Sequence, residues 1–425
     1  MKSIKQLFYS LAIFATLFVV CPAQAALVIG GSDGWSFSTD GNVNMFLRYA
    51  TADERPDKVH SEFHTLSDDQ ESFRLRSGFL PGVLAFNVKA PTMGGLDMGS
   101  RVGFYPNPQN ANKKNSFSGQ IDLREVFFTV DGNFGQFMVG KSLSLFMGQN
   151  ALTGWTLMGY GIEGSVAGGG ATLGNIGYGY IYPQFNAQVR YTTPDMNGFK
   201  LALALHDPSV INGSGVSTGV DGVTGEYIVV KPSATETKMP RIEGELTYAG
   251  NYADGAGSFK SWISGLYQEA EFNDGSDIDD VTAWGVAGGV QVGYKGYEVV
   301  VSGFDGEGLG STLMLDFDSL DYTGEEREGY GYLLQGTYTF ANGGKTKLAI
   351  CYGANRMEET SAEKAARAIT EFGELKQQDV ITLGVSHDIN PHLKLVAEYN
   401  HANVEWFNGG DQSVDIIAVG TFFLW

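Results

Sequence analysis

Apolar and polar residues alternate along many short stretches of this chain. In LKLVAEYN, residues 393–400, apolar side chains take every second place, and Lys394, Glu398 and Asn400 fall between them. A period of two is that of a β-strand with one apolar and one polar face. The same alternation recurs in four other stretches, 42–49, 185–191, 199–206 and 241–248. We therefore expect an all-β fold.

The spacing of these stretches predicts sixteen strands, which are 41–50, 71–90, 96–105, 121–131, 135–142, 182–194, 198–207, 238–249, 257–271, 281–294, 296–304, 329–341, 345–354, 378–389, 392–402 and 413–425. The odd-numbered connections between them are long: 51–70, 106–120, 143–181, 208–237, 272–280, 305–328, 355–377 and 403–412. The even-numbered ones are nearly all tight turns rich in Gly, Asn and Asp, apart from a longer one at 250–257.

Long and short connections that segregate to opposite ends are typical of a closed up-and-down barrel, and an even strand count brings both termini to the short end. We expect a transmembrane antiparallel β-barrel of about sixteen strands, with long external loops and short periplasmic turns. A soluble β-rich secreted domain is the alternative.

Two of the predicted strands depart from simple alternation. In 71–90 the apolar face switches near Leu80-Pro81-Gly82, which favours a bulge, because proline cannot donate to the ladder and glycine tolerates a kink. Strand 121–131 is apolar on both faces, which is compatible with a contact to another protein instead of lipid.

The first 25 residues have the three parts of a secretory signal peptide: basic Lys2 and Lys5, an apolar core, and Ala23-Gln24-Ala25 as a cleavage site. The remaining chain, 26–425, is expected to be a single barrel domain. It would keep one cysteine, Cys351, and so no internal disulfide. A formal charge of −20 argues against nucleic acid as a partner.

A sixteen-stranded cylinder is wide enough for a water-filled lumen. The longest connection, 143–181, has Glu163 as its one acidic residue and is otherwise apolar, aromatic and glycine-rich. Such a segment is poorly suited to bulk solvent. We expect it to fold into the lumen and to constrict the pore.

The segment LREVFFTVDGNFGQFMVGKS, residues 123–142, and the aromatic end of the last strand resemble the Gram-negative trimeric porins, and the resemblance extends over essentially the whole mature chain. It implies an outer-membrane location in a Gram-negative bacterium and a homotrimer. It also implies a third external loop that narrows the channel, with Glu163 facing a wall of arginines: Arg48, Arg74, Arg76, Arg101 and Arg124. The loop lacks that family's acidic segment, and the chain ends in Trp instead of Phe.

Strand phase independently predicts that Arg48 and Arg101 point into the lumen, since a charge facing hydrocarbon costs about 2–4 kcal/mol at mid-membrane. Arg190 and Arg241 lie on the polar faces of their strands and are further candidates for the pore wall. The alternative for each arginine is an interfacial charge without a selective role.

The last strand, SVDIIAVGTFFLW, should close the barrel by pairing with 41–50. On its lipid face, Phe423 and Trp425 fit the aromatic girdle at the membrane interface. The resemblance further implies that this terminus is read by the barrel assembly machinery. The inner face, 416–424, is more apolar than a pore wall should be, so it either lies below the constriction or packs against the same chain.

Other motifs have weaker signals. No catalytic or metal-binding spacing is present, so no enzyme activity, cofactor or metal is expected. Acidic loops at 273–280 and 316–329 are either solvated charge or weak divalent-cation sites that bridge to lipopolysaccharide. Residues 360–375 predict a short helix with a Thr360–Glu363 capping box, closed by Gly373.

The function that these features favour is passive diffusion of ions and small hydrophilic solutes across the outer membrane. The first alternative is a substrate-selective channel, for anions or for sugars that stack on the aromatic residues of the third loop, Trp155, Tyr160, Tyr178, Tyr180 and Tyr182. A secreted adhesin or enzyme is a more distant one.

Overall fold

The computed structural model describes residues 26–59, 70–110, 121–164, 171–214, 216–220, 227–272, 280–316, 318–341, 343 and 345–425. The predicted signal peptide, 1–25, lies outside the described residues, as does most of the acidic loop 273–280. None of the helices in the described ranges has the length and apolar character needed to cross a membrane.

The structure is built almost entirely from β-strands. They are β1 Leu27–Gly30, β2 Ser36–Ala52, β3 Gln70–Arg76, β4 Val83–Lys89, β5 Asp97–Pro106, β6 Ile121–Gly132, β7 Gly135–Leu143, β8 Phe185–Thr192, β9 Phe199–His206, β10 Ile211–Asn212, β11 Val216–Val220, β12 Tyr227–Val230, β13 Ser233–Ala234, β14 Arg241–Tyr252, β15 Gly257–Ala270, β16 Val281–Tyr294, β17 Tyr297–Glu307, β18 Glu328–Thr339, β19 Thr346–Met357, β20 Leu375–Asn390, β21 Leu393–Trp406 and β22 Asp411–Leu424. Two α-helices are described, α1 Gly148–Thr153 and α2 Ser361–Thr370, with short 3₁₀ turns at Trp155–Met158 and Ala253–Gly255.

One antiparallel sheet of 18 strand segments closes on itself. Closure occurs between the first long strand and the last, where residues 42–52 of β2 pair with residues 414–424 of β22. Two segments, β3 and β4, share one position in the barrel because both pair with β2, and β1 only extends an edge. The barrel therefore has sixteen strands, which confirms the predicted fold class and the predicted pairing of the terminal strand.

The predicted bulge in the second strand is instead a six-residue interruption, 77–82, between β3 and β4. Asn44 of β2 bridges the gap, since its amide donates to the carbonyl of Leu80 at 2.8 Å and its oxygen accepts from the backbone nitrogen of Gly78 at 2.8 Å. A proline and two glycines remove ladder donors and side-chain packing here, so a polar side chain of the neighbouring strand replaces the ladder.

The terminus predicted to lie beside 41–50 extends that pairing by one residue. Backbone atoms of Gly41 and Trp425 form two reciprocal hydrogen bonds of 3.0 and 3.1 Å. Beyond Trp425, β1 continues along the same edge of β2, with Leu27 opposite Thr39. The connection expected to be longer, 250–257, is in fact tight, because β14 runs to Tyr252 and β15 begins at Gly257.

The barrel wall has an apolar outer face and a mostly polar inner face. On β21, Leu395 and Tyr399 are exposed outside, whereas Glu398 and Asn400, on either side of Tyr399 in the sequence, are buried inside. Strand β6 also alternates, contrary to its apolar sequence: Val126 and Phe128 are exposed outside, while Phe127 lies opposite inward-facing Arg101. The pairing register between β5 and β6 shifts after Gly103. This shift changes which residues face inward in the external half of β6.

The predicted external helix forms as α2, with the reciprocal Thr360–Glu363 capping box present. It ends earlier than predicted: Glu371, in the left-handed conformation at φ 64°, closes it in place of Gly373. The amide of Gly373 instead donates to the carbonyl of Lys58, 2.9 Å away, in the first external connection.

Candidate functional site

The connection between β7 and β8 folds back into the barrel in its described parts, 144–164 and 171–184. It contains α1 and the 3₁₀ turn Trp155–Met158, a local helix that sequence analysis did not predict. Many of its apolar side chains are fully buried against the inner wall, including Phe146, Tyr160, Tyr178 and Tyr180. Contact with the wall thus removes from water the aromatic side chains that made this segment poorly suited to solvent.

The apolar inner face of β22 lies in this contact. Ile416, Ala418 and Phe422 are buried in one cluster with Tyr160 and Tyr178. Phe46 of β2 lies between the two partners, with ring centroids 5.4 Å from Tyr160 and 5.7 Å from Phe422. The chain therefore packs against itself here, which resolves the alternative left open for residues 416–424.

Two wall carboxylates hold the backbone of the third connection. Glu398 on β21 accepts hydrogen bonds from the amides of Tyr160, at 3.0 Å, and Gly161, at 2.9 Å. Glu243 on β14 accepts from the amides of Leu145, at 2.8 Å, and Phe146, at 2.9 Å. Both carboxylates are buried, so these charge-assisted bonds fix the segment on two different sectors of the wall.

A third anchor reverses the polarity, since the carboxylate belongs to the connection and the cations to the wall. Two guanidinium nitrogens of Arg48 donate to the carboxylate of Glu163. Arg48 Nε lies 2.6 Å from Oε1, and Nη2 bonds Oε2. Arg76 Nη1 lies 2.9 Å from Glu163 Oε2, and the Tyr160 hydroxyl donates to Oε1. The Arg48 and Glu163 side chains have no exposed surface.

Amide side chains supply the remaining polar contacts. Asn355 of β19 accepts from the amide of Gly179 at 2.8 Å and donates to the carbonyl of Ser311 at 2.8 Å. Gln378 of β20 donates to the carbonyl of Gly177 at 3.2 Å and to Thr312 Oγ1 at 3.0 Å. These residues tie the third connection and the external segment 309–320 to the same stretch of wall.

Two wall glycines allow this close approach. A Cβ on Gly353 of β19 would lie 1.9 Å from the carbonyl oxygen of Tyr178, and one on Gly384 of β20 would lie 2.4 Å from Nε1 of Trp155. Contacts this short are impossible for a real side chain. The small residues in these strands are therefore required by the loop that covers them.

Arg101 and Arg124 lie in another sector. Arg101 bridges three strands: Nη1 contacts Asp40 at 2.8 Å and Nε contacts Glu125 at 2.7 Å. Arg124 pairs with Asp122 at 2.7 Å, and its guanidinium lies 5.1 Å from the ring centroid of Tyr105. The Arg101 and Arg124 side chains keep 12% and 19% of their surface exposed.

The other predicted wall arginines also point inward but are buried. Arg74 donates to the carbonyl of Asn110 at 3.0 Å. Arg190 contacts Gln188 at 3.0 Å, and Arg241 pairs with Glu243 at 3.0 Å. The sequence pattern did not single out Glu243, Glu398, Asn355 and Gln378 as anchors, although their position on the polar faces of the strands was a usable signal.

Three of the tyrosines proposed to stack on sugars, Tyr160, Tyr178 and Tyr180, are almost wholly buried and present no face to a solute. Cys351 faces inward but is fully covered in the cluster that contains Tyr180. Phe423 is exposed on the outer face, with its ring centroid 5.9 Å from that of Trp425.

In the described parts of the chain, no group of three or more His, Cys, Asp or Glu residues is placed to hold a metal ion. A comparison with curated protein sequences gave no match. The fold, by contrast, has many counterparts among solved structures.

The outer membrane channel DcaP of Acinetobacter baumannii has 17% sequence identity and a TM-score of 0.68, with 94% of this chain and 100% of that one covered. An anion-selective porin from Comamonas acidovorans has 12% identity, covers 92% and 100% of the two chains, and gives a TM-score of 0.56. The trimer form of OmpT of Vibrio cholerae has 15% identity, with 92% and 100% covered and a TM-score of 0.52.

A family model described as Gram-negative porin matches residues 11–405, nearly the whole chain. Together with the closed sixteen-stranded barrel, this match assigns the outer membrane as location and a channel, instead of an enzyme, as the kind of protein. The chain belongs to the Gram-negative porin family.

Proposed function

We propose that this porin is a general diffusion channel for ions and small hydrophilic solutes, in which residues 143–181 set the width of the passage. The observation that carries the proposal is the attachment of this segment to the inner wall. Three buried carboxylates, Glu163, Glu243 and Glu398, bond it to β2, β14 and β21. A loop fixed at several points of the circumference narrows a lumen permanently and needs no energy input.

The polar inner wall supports passive diffusion of hydrophilic solutes. Charged and amide side chains face inward on most of the long strands, and the outer face is apolar. A lumen of this kind solvates ions and sugars while it excludes apolar compounds.

The test is swelling of proteoliposomes in sugars of graded size. A general channel predicts rates that fall steadily with solute size and rise linearly with concentration. Absence of swelling, in vesicles that contain heat-modifiable folded protein, would contradict a channel.

A substrate-selective channel is the second candidate. The observation that favours it is the pair of inward arginines with accessible surface, Arg101 and Arg124, together with the likeness to a porin described as anion-selective. Saturable swelling, inhibited by one small anion and not by a neutral sugar of the same size, would establish this candidate in place of the first.

We also propose that the protein is exported by a signal peptide and assembles as a homotrimer. The Vibrio cholerae relative is described as a trimer, which supports a homotrimer here. The signal peptide 1–25 would direct export, and the exposed Phe423 beside Trp425 would serve as girdle and as signal to the barrel assembly machinery. Lipopolysaccharide and the other outer-membrane lipids would contact the apolar outer face of the barrel.

Mass measurement of the protein in mild detergent tests the trimer, and a monomer under conditions that preserve the barrel would contradict it. N-terminal sequencing of the exported protein tests cleavage after Ala25.

A further inference from the structure

Inward-facing ion pairs of the barrel fall into two groups by the water they can reach. The pairs Arg48–Glu163 and Arg241–Glu243 have no exposed side-chain surface. The pairs around Arg101 and Arg124 keep some, with 19% for Asp40, 15% for Glu125 and 43% for Asp122. Water therefore reaches one group of lumenal charges and not the other.

The two groups occupy different sectors of the wall. The accessible residues lie on β2, β4, β5 and β6; they are Asp40, Asn87, Arg101, Arg124 and Glu125. Along the chain, the interruption at 77–82 separates Asp40 from the other four. Two further inward pairs with exposed surface, Lys347–Glu298 and Lys394–Asp388, lie beside the short turns that join the strands. At the height of the third connection, the rest of the circumference is covered.

The third connection seals that remaining wall. On β19 and β20 its backbone and Trp155 approach so closely that Gly353 and Gly384 have no room for a Cβ. On β20–β22 it forms the apolar cluster with Ile416 and Phe422, and on β14–β19 it packs with Trp262 and Leu333. Solutes cannot pass between the third connection and the wall where the two are in direct contact.

We infer that ions and solutes cross the barrel along the inner face of β4–β6, past Arg101 and Arg124, and that the Arg48–Glu163–Arg76 cluster is a clamp on the loop outside this path. The inference rests on the proposed channel function. It assigns Asp122, Arg124 and Arg101, with their partners Asp40 and Glu125, as the charges that a permeating hydrophilic ion meets in turn.

The chemistry of this sector suits charged or zwitterionic solutes. Arg101 contacts Asp40 at 2.8 Å and Glu125 at 2.7 Å, and Arg124 contacts Asp122 at 2.7 Å, so cationic and anionic groups alternate along the wall. At the external end the Arg124 guanidinium lies 5.1 Å from the Tyr105 ring and 5.7 Å from the Phe185 ring. An ion in this passage exchanges water for opposite charges without leaving a polar surface.

Cysteine accessibility during single-channel recording tests the path. In a Cys351→Ser background, the path variants are Asn87→Cys and Asp122→Cys, and the sealed controls are Ala418→Cys and Thr382→Cys, both buried on the inner face. A charged, membrane-impermeant methanethiosulfonate is the probe. We expect the path variants to lose most of their current in discrete steps and the controls to lose none.

Block at either sealed position, or unchanged current in a path variant that mass spectrometry shows to be labelled, would overturn the inference. Absence of current in the unmodified protein would instead contradict the proposed channel function, so the two failures are distinguishable.

A second measurement does not depend on cysteine variants. In a salt gradient, Arg124→Gln should shift the reversal potential toward cation preference and Asp122→Asn should shift it toward anion preference. Arg367→Gln, on the external helix and paired with Glu359, is the matched control and should leave the potential unchanged. Equal potentials in all three variants would also overturn the path.

Discussion

The carboxylate of Glu398 lies 2.9 Å from the backbone nitrogen of Gly161, so a wall strand far along the chain fixes the turn of the third connection. The same carboxylate also accepts from the amide of Tyr160 at 3.0 Å. Glu398→Ala leaves two buried amides without an acceptor, at about 1–3 kcal/mol each. Hydrogen exchange at these two amides should accelerate strongly. Glu405→Ala, on the outer face of the same strand, is the control and should not change them.

Glu163→Gln removes the countercharge from two buried arginines, Arg48 and Arg76. Breaking a buried pair in this way costs about 3–5 kcal/mol, since an uncompensated charge is left behind. The denaturant midpoint of the heat-modifiable gel shift should fall accordingly. Glu405→Gln breaks the half-exposed pair with Lys376 and should cost at most about 1 kcal/mol. Equal losses in the two variants would contradict a buried clamp.

Gly353→Ala should displace the third connection from the wall, because the added methyl group would lie 1.9 Å from the carbonyl oxygen of Tyr178. The thiol of Cys351, fully covered in the native protein, reports the displacement. Its labelling by a small maleimide should be very slow in the wild type and clearly faster in the variant. Gly336→Ala, where the nearest side-chain atom is 3.7 Å away, should label at the wild-type rate.

The docking of α2 should depend on pH. Burial raises the pKa of the Glu363 carboxyl to about 7, against the opposing effect of Arg327, and Glu374 adds to the rise. At pH values between the ordinary pKa of a glutamate and about 7, the Glu363 carboxyl is protonated when the helix is docked and ionised when it is not. Docking is therefore strongest at acidic pH and is weakened as the pH rises through about 7.

Hydrogen exchange over residues 361–370 at a series of pH values, corrected for intrinsic rates, measures this dependence. Glu363→Gln keeps an acceptor for the Thr360 amide, which bonds the carboxylate at 3.0 Å, but cannot titrate. The pH dependence should vanish in this variant. Protection that increases as the pH rises in the wild type would contradict the assignment.

Strand periodicity predicted the barrel well because every strand repeats the same physical requirement. A residue on the outer face must be apolar and one on the inner face can be polar. The alternation can therefore be recognised in the sequence of each of the sixteen strands. Arg48 and Arg101 were placed on the inner face by the same argument, and both point inward in the structure.

Contacts between the loop and the wall could not be predicted in the same way. Glu398 and Tyr160 are 238 residues apart in the chain, and nothing local in either segment specifies the partner. The interruption at 77–82 was seen only as a change of phase, because the Asn44 side chain that bridges it comes from another strand. The division of the arginines into sealed and accessible groups depends on where the loop lies, and strand phase contains no information about that.

The most direct test is single-channel conductance of the double variant Glu163→Ala/Glu398→Ala, compared with the wild type in the same bilayers and salt. It releases two of the three carboxylate anchors while the barrel strands keep their pairing. If the anchored connection sets the width of the passage, the heat-modifiable variant will show discrete steps of higher conductance and greater open-channel noise. Steps identical to those of the wild type would contradict the account.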